Sequence, residues 1–414
     1  MYYNLTGFVM KKFDELFRSF RSEWQKGPEI LFYSGLILFL AHTQMLDINW
    51  TNEFVCNIGA ALLDLAGIIG LLYAALVLVL WKKNIPTYLL AVAAAVLFLL
   101  WWPGQRYYVR LTTVEILLIL MADTKKYRNI LKCYFCIYLT GLIAALSGLA
   151  LHFTEGFIKA EDYGTGHSCG YTYPNIMAFY LFLILMLAWY LWLRNKNAIT
   201  LFMFWLAAVP VWTYIKCRTV AVLMVFFPLL VIACGLFEKD QKRVSAMLKN
   251  KVWNVCMVAA PFLYFALSLI LTRFMEPLTA AFEKTPLWNM ASRFVQGGIA
   301  LSYYGVTLLG HTIDASGAVK MELAGYVEPL LYLDNAYISE LVYRGLIGVL
   351  LELVFLSAIN RKCIRTKNLA LLHIANVMLL VGLMEHYTMF PAYNFTLIYL
   401  LAGPAIYNQQ EMTS

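Results

Sequence analysis

Apolar residues run in blocks along this chain, each close to the length of a membrane-crossing helix and each ended by a short polar cluster. The blocks fall at 29–45, 57–81, 86–103, 108–122, 129–152, 174–193, 197–215, 218–236, 252–272, 335–358, 367–384 and 388–408. An α-helix needs about 20 apolar residues to cross hydrocarbon. Only structures that satisfy their own backbone hydrogen bonds survive there. The pattern therefore predicts an all-α, polytopic membrane protein with twelve transmembrane helices. The weakest block is 108–122, which Arg110 and Glu115 interrupt.

The remaining segments divide the chain. Residues 1–28 place Leu5, Val9, Phe13, Phe17, Phe20 and Trp24 at helical spacing, with Lys11, Lys12, Arg18 and Arg21 between them. This predicts an amphipathic helix on the cytoplasmic membrane surface. Residues 29–272 then hold helices one to nine. Residues 273–334 form an extracytoplasmic loop, partly helical around PLWNMASRFVQGGIALSYYG. Residues 335–414 hold helices ten to twelve and a cytoplasmic tail.

Composition agrees: 62% of residues are hydrophobic and only 14% charged, against about 25% charged in soluble domains. The net charge of +8 would suit nucleic acid if it were clustered on one domain. Instead most of the 32 Lys and Arg fall in alternate connections, at 82–83, 125–128, 194–196, 239–251 and 361–367, and in the N-terminal tail. That alternation is the positive-inside bias. It puts both termini in the cytoplasm and makes membrane lipids, not nucleic acid, the partner of the basic residues. Cys133 and Cys136 form a CxxC, but no second ligand pair follows at zinc spacing, and no metal is expected.

With this topology, every unusual polar cluster lies at the outer face. GTGHSCGYTYPN (164–175) brings His167, Ser168 and Asn175 to the start of a span. YIKCRTVAV (214–222) puts Lys216 and Arg218 in a short outer connection, where paired cations are rare unless they meet an anion. The 273–334 loop carries Arg293, His311, the turn-like DASGA, Glu322 and Glu328, and ends in YLDNAYISELVYRGLIG with Asp334, Asn335, Tyr337, Glu340 and Arg344. Arginine forks suit a diphosphate, and a neighbouring carboxylate or histidine suits removal of a hydroxyl proton. The substrate class this suggests is a lipid diphosphate that reacts outside the membrane.

The order of these features resembles the Wzy polysaccharide polymerases and the related O-antigen ligases of bacterial envelopes. GHSCGYTYPN precedes a span, CRT joins two spans, SRF and then LLG stand in a long outer loop, and LDNAYISELVYRGLIG follows. The resemblance covers residues 160–360. It implies glycosyl transfer at the outer face of a bacterial cytoplasmic membrane, for capsule, exopolysaccharide or O-antigen, from undecaprenyl diphosphate carriers and without cofactor or metal. It also suggests a chain-length regulator and a flippase as partners. On this chain it makes Arg218 and Arg293 the holders of the diphosphate leaving group, with Lys216 beside them. It gives the position before Asn335 to the catalytic base or its orienter. The ligases commonly have a histidine there, and this chain has Asp334, which weakens the ligase alternative and leaves His167 as a rival base. Asn175, Asn335, Tyr337 and Glu340 complete the expected substrate-binding set. A flippase or other transporter is the alternative outside enzymes; its expected intramembrane charges have candidates in Asp64, Glu115 and Glu352, but the halves show no repeat.

Overall fold

The computed structural model describes residues 27–80, 92, 107–122, 125–158, 166–194, 196–239, 248–282, 288–311, 320–323, 326–329 and 333–403. Residues 1–26 of the expected surface helix, all but residue 92 of the span expected over 86–103, the DASGA turn and most of the 238–251 connection lie outside them.

The described elements are α1 (Gly27–Asp47), α2 (Glu53–Leu80), α3 (Tyr107–Met121), α4 (Tyr127–Ala150), β1 (Phe157–Ile158), β2 (Gly166–His167), α5 (Pro174–Ala188), α6 (Asn197–Pro210), α7 (Arg218–Lys239), α8 (Lys251–Phe282), α9 (Trp288–Tyr304), β3 (Lys320–Leu323), β4 (Tyr326–Pro329), α10 (Ala336–Arg365) and α11 (Leu369–Val381). Wider helical turns extend α5 through Trp189–Leu193 and α6 through Val211–Ile215. The strands form two small antiparallel hairpins, β1 with β2 and β3 with β4. Among the described residues, seven helices are long and apolar enough to cross a membrane: Gly27–Asp47, Asn57–Leu76, Tyr127–Ala150, Pro174–Leu193, Asn197–Ile215, Lys251–Phe274 and Ala336–Arg365. Leu111–Met121, Arg218–Ala233 and Leu369–Val381 are shorter apolar helices. By helix length and hydropathy the chain is a multi-pass membrane protein.

Two compact units divide the chain, one of Met1–Met177 with Leu401–Ser414, the other of Ala178–Leu400. In the first, α1 packs on α2, α3 and α4 and buries Phe32, Leu36, Phe39 and Leu40. The sequence after β2 folds back onto the end of α1. Asn49 N–H donates to the Gly170 carbonyl at 2.9 Å and Thr172 N–H to the Asp47 carbonyl at 2.8 Å. Gly170 has φ +89°, and a Cβ there would meet the Ala145 carbonyl. Only glycine fits so left-handed and close a turn.

In the second unit, α6 packs on α7, and α8 packs on both α9 and α10. Ala300, Leu333, Ile338 and Val342 form a buried core between α9 and the start of α10. Helix α10 is broken at Gly345 (φ 70°, ψ −176°). The chain before it, Thr307–His311, takes up the freed backbone groups: His311 N–H donates to the Val342 carbonyl, and Leu346 and Ile347 N–H donate to the carbonyls of Thr307 and Leu308. Non-helical backbone persists in an apolar helix only where such partners exist.

The span expected over 388–408 is not helical across its described residues. Short 3₁₀ turns at His386–Met389 and Leu397–Leu400 flank a series of turns. Pro391 has no N–H to continue a helix. The Asn394 side chain accepts from Thr396 N–H and Oγ and donates to the Thr388 carbonyl, replacing helical bonds with local ones. Hydropathy could not separate this segment from a span, because Phe395, Leu397, Ile398 and Tyr399 are apolar and buried.

Candidate functional site

The start of α10 is fixed by its own sequence. Asn335 is the N-cap, and its Oδ1 accepts from Ile338 N–H at 3.1 Å and from Ser268 Oγ of α8 at 2.9 Å. Ala336 N–H donates to the Gly382 carbonyl at 2.8 Å, and Tyr337 Oη donates to the Leu379 carbonyl at 2.8 Å. Asn335 and Tyr337, two expected substrate contacts, thus hold the helix entry against α8 and the end of α11. Asp334 stands immediately before the cap, where the long loop re-enters the fold.

Arg293, from the middle of α9, reaches Asp334. Its Nε lies 3.1 Å from Asp334 Oδ2, and its Nη1 lies 2.7 Å from Oε1 of Glu385. Nη1 also donates to the Met384 carbonyl. One guanidinium therefore joins two carboxylates and the turn after α11. The two acids are not equivalent: the Asp334 side chain is 27% exposed and that of Glu385 is 0% exposed. Burial pushes the Asp334 carboxyl up to about 6, opposed by Arg293 and reinforced by Glu385. An ordinary aspartate titrates near 4, so this group holds a proton more tightly than most carboxylates. His386, the next residue, is pushed below the usual histidine range by burial and by Arg293, with Glu385 opposing.

The short connection 216–218 reaches the same electrostatic neighbourhood. The Cys217 thiol is pushed up to about 12, first by burial and then by Glu385, while Arg293 draws it down. On either side of it, Lys216 and Arg218 are exposed. Lys216 takes a left-handed conformation (φ 61°) that ends the widened turn, and Arg218 opens α7 with its guanidinium 6.0 Å from the Trp212 ring. Beside them an apolar groove of about 500 Å³ runs between α6 and α7, lined by Trp205, Val209, Trp212, Ala221, Val225 and Phe226. Cations at the first turn of a helix favour a bound anion.

The other expected residues lie elsewhere. Glu340 pairs with Arg344 at 2.8 Å, and Arg344 also lies 3.8 Å from Glu352, beside the break in α10. His167 sits in β2, half-buried and paired with Phe157, and Asn175 is in the first turn of α5; both belong to the first unit. Ser168 is fully buried, and among the described residues its hydroxyl has no hydrogen-bond partner. Glu328 and Glu322 are on the β3–β4 hairpin. His311 caps the break in α10 through its backbone.

Glu385 and His386 are absent from the sequence reading, although a signal existed. The expected topology leaves 385–387 as an outer turn, so an acid and a histidine there share the face of every other polar cluster. Among the described residues, no three His, Cys, Asp or Glu side chains gather where one metal ion could bind them all. Comparison with known proteins finds no family model, no curated protein and no solved structure that matches this chain.

Proposed function

We propose that this protein is a metal-independent, lipid-diphosphate-dependent glycosyltransferase. In this reading it is a polysaccharide polymerase joining undecaprenyl-diphosphate-linked repeat units at the outer face of a bacterial cytoplasmic membrane. The full arrangement would be twelve crossings or re-entrant segments with both termini cytoplasmic. One observation carries the reading: Asp334, a partly accessible carboxylate of raised proton affinity, is held by Arg293 where the long loop enters a helix.

The reaction needs a base and a stabilised leaving group. A sugar hydroxyl oxygen attacks the anomeric carbon of the lipid-linked glycan, the bond from that carbon to the diphosphate oxygen breaks, and the electron pair leaves with the diphosphate. The hydroxyl proton passes to Asp334. A group titrating near 6 is about nine-tenths ionised at pH 7 and still basic enough to accept that proton. Lys216 and Arg218 suit the diphosphate, being exposed at a helix start, and the adjacent apolar groove suits a polyprenyl chain. Arg293 already spans two carboxylates, so its part is to hold Asp334 and to add positive charge beside the leaving group.

The test is reconstitution. Purified protein in vesicles, given lipid-linked repeat units, should produce a ladder of polymers, and Asp334→Asn should produce none while still binding the lipid. Normal ladders from Asp334→Asn would remove the assignment.

One observation favours transport instead. The Glu340–Arg344–Glu352 group beside a broken apolar helix has the form of an intramembrane ion-coupling site. The two readings separate in cells: loss of a flippase traps lipid-linked units inside, whereas loss of a polymerase leaves single repeats on the surface.

A further inference from the structure

Glu385 has no part in the chemistry above, yet it is a fully buried acid ion-paired to that site's arginine. Burying a carboxylate is costly unless it is paired and hydrogen-bonded. A purely mechanical clamp did not need one, because the Met384 carbonyl already accepts from the same Nη1. What the carboxylate adds is charge. It stands across the guanidinium from Asp334, so Arg293 faces two acids rather than one.

We propose that Glu385 is a positioning residue of this site: by holding Arg293 and sharing its charge, it keeps Asp334 basic enough to accept a proton. The proposal rests on the reading of Asp334 as the base. Among the described residues, the charged and titratable groups around Asp334 come from several elements. Arg293 comes from α9, and Glu385 and His386 come from the turn after α11. Cys217 comes from the connection before α7 and feels both Glu385 and Arg293. Along α10, Glu340 is paired with Arg344. Burial holds the His386 imidazole and the Cys217 thiol toward their neutral forms. Glu385 is therefore a negative charge that opposes the effect of Arg293 on Asp334.

The direction follows from electrostatics. A nearby negative charge disfavours the carboxylate form of Asp334, and Arg293 favours it. Glu385→Gln keeps an oxygen for the Arg293 N–H groups but removes the charge, leaving the guanidinium to act on Asp334 alone. The proton affinity of Asp334 must then fall.

The experiment measures polymer formation from lipid-linked repeat units by the full-length protein in vesicles between pH 5 and 8. It compares the wild type, Glu385→Gln, Glu385→Asp and Asp334→Asn. The expected result is an acid limb displaced downward by on the order of one pH unit in Glu385→Gln. Glu385→Asp, which keeps the charge, should retain the wild-type limb. A Glu385→Gln limb at the wild-type pH, with activity reduced by the same factor throughout, would make Glu385 a structural clamp and overturn the proposal. Activity in Asp334→Asn would instead overturn the reading of the base, and the two failures are distinct. If Glu385→Gln does not accumulate, the infrared carboxyl band lost in the Asp334→Asn minus wild-type difference reports Asp334 in the unaltered site. Glu385→Met, similar in length and uncharged, then takes the place of Glu385→Gln: that band titrating below its wild-type pH supports the proposal, and titrating at the wild-type pH overturns it.

Discussion

Arg293 and Asp334 meet across the later part of the long loop, with Nε of one 3.1 Å from Oδ2 of the other. The pair ties the middle of α9 to the residue that precedes the α10 cap. It also leaves the carboxylate partly open, since the second acid on the same guanidinium is the buried one. A site so built depends on pH and on the shape of the cation, and both dependences are measurable.

The pH dependence has a definite sign. Asp334 acts as a base only when ionised, and its carboxyl titrates at about 6. Activity should be flat above this value and fall about tenfold per unit below it. A rate profile with no acid limb between pH 5 and 7 would exclude Asp334 as the base.

Arg293→Lys keeps a positive charge but cannot reach Asp334, Glu385 and the Met384 carbonyl together. Activity should fall ~10²–10³-fold at equal expression. Arg293→Ala removes the Arg293 partner from the fully buried Glu385 carboxylate and should destabilise the protein by ~3–5 kcal/mol. Adding Glu385→Gln should restore most of the stability but not the activity. Thermal unfolding in detergent and the ladder assay together check both halves.

Gly345→Ala should disrupt α10. The residue has φ 70°, and a Cβ there would run into the Leu308 carbonyl and the Gly310 N–H. Strain of this kind costs ~1–3 kcal/mol before any clash is counted. Lower yield of folded protein and easier proteolysis in 305–311 are expected. An unaltered melting temperature would mean that the break is not required.

Topology can be tested without any assay of function. A cysteine introduced at Ser316 should react with an impermeant thiol reagent applied from outside, and one at Gln241 should not. The reverse labelling would invert the chain and remove the outer-face site.

Much of this architecture is legible in the sequence because a membrane imposes one strong constraint. Apolar blocks of sufficient length must become helices, and the blocks at 29–45, 129–152, 174–193 and 252–272 coincide closely with α1, α4, α5 with its extension, and the apolar part of α8. The helix expected around Ser292 and Arg293 is α9. Where burial inside the protein mimics burial in lipid, the constraint fails. Residues 388–403 are as apolar as a span, yet Pro391 and Asn394 turn them into a buried, irregular segment.

At the site, the sequence by itself determined the chemistry available: Asp334 before a cap, Arg293 on an amphipathic helix, Lys216 and Arg218 in a short connection. Residue types and helical spacing are local properties, so they can be read along the chain. Only the tertiary structure decided that Arg293 joins Asp334 to Glu385, that Asn335 and Tyr337 fasten the start of α10, and that Glu340 belongs with Arg344 and Glu352 at the Gly345 break. The Arg293, Asn335 and Tyr337 pairings link segments far apart in the chain, whereas Glu340, Arg344 and Glu352 share one helix and meet at its break. They depend on helix packing and on the cost of burying an uncompensated charge, neither of which has a period that a sequence can display.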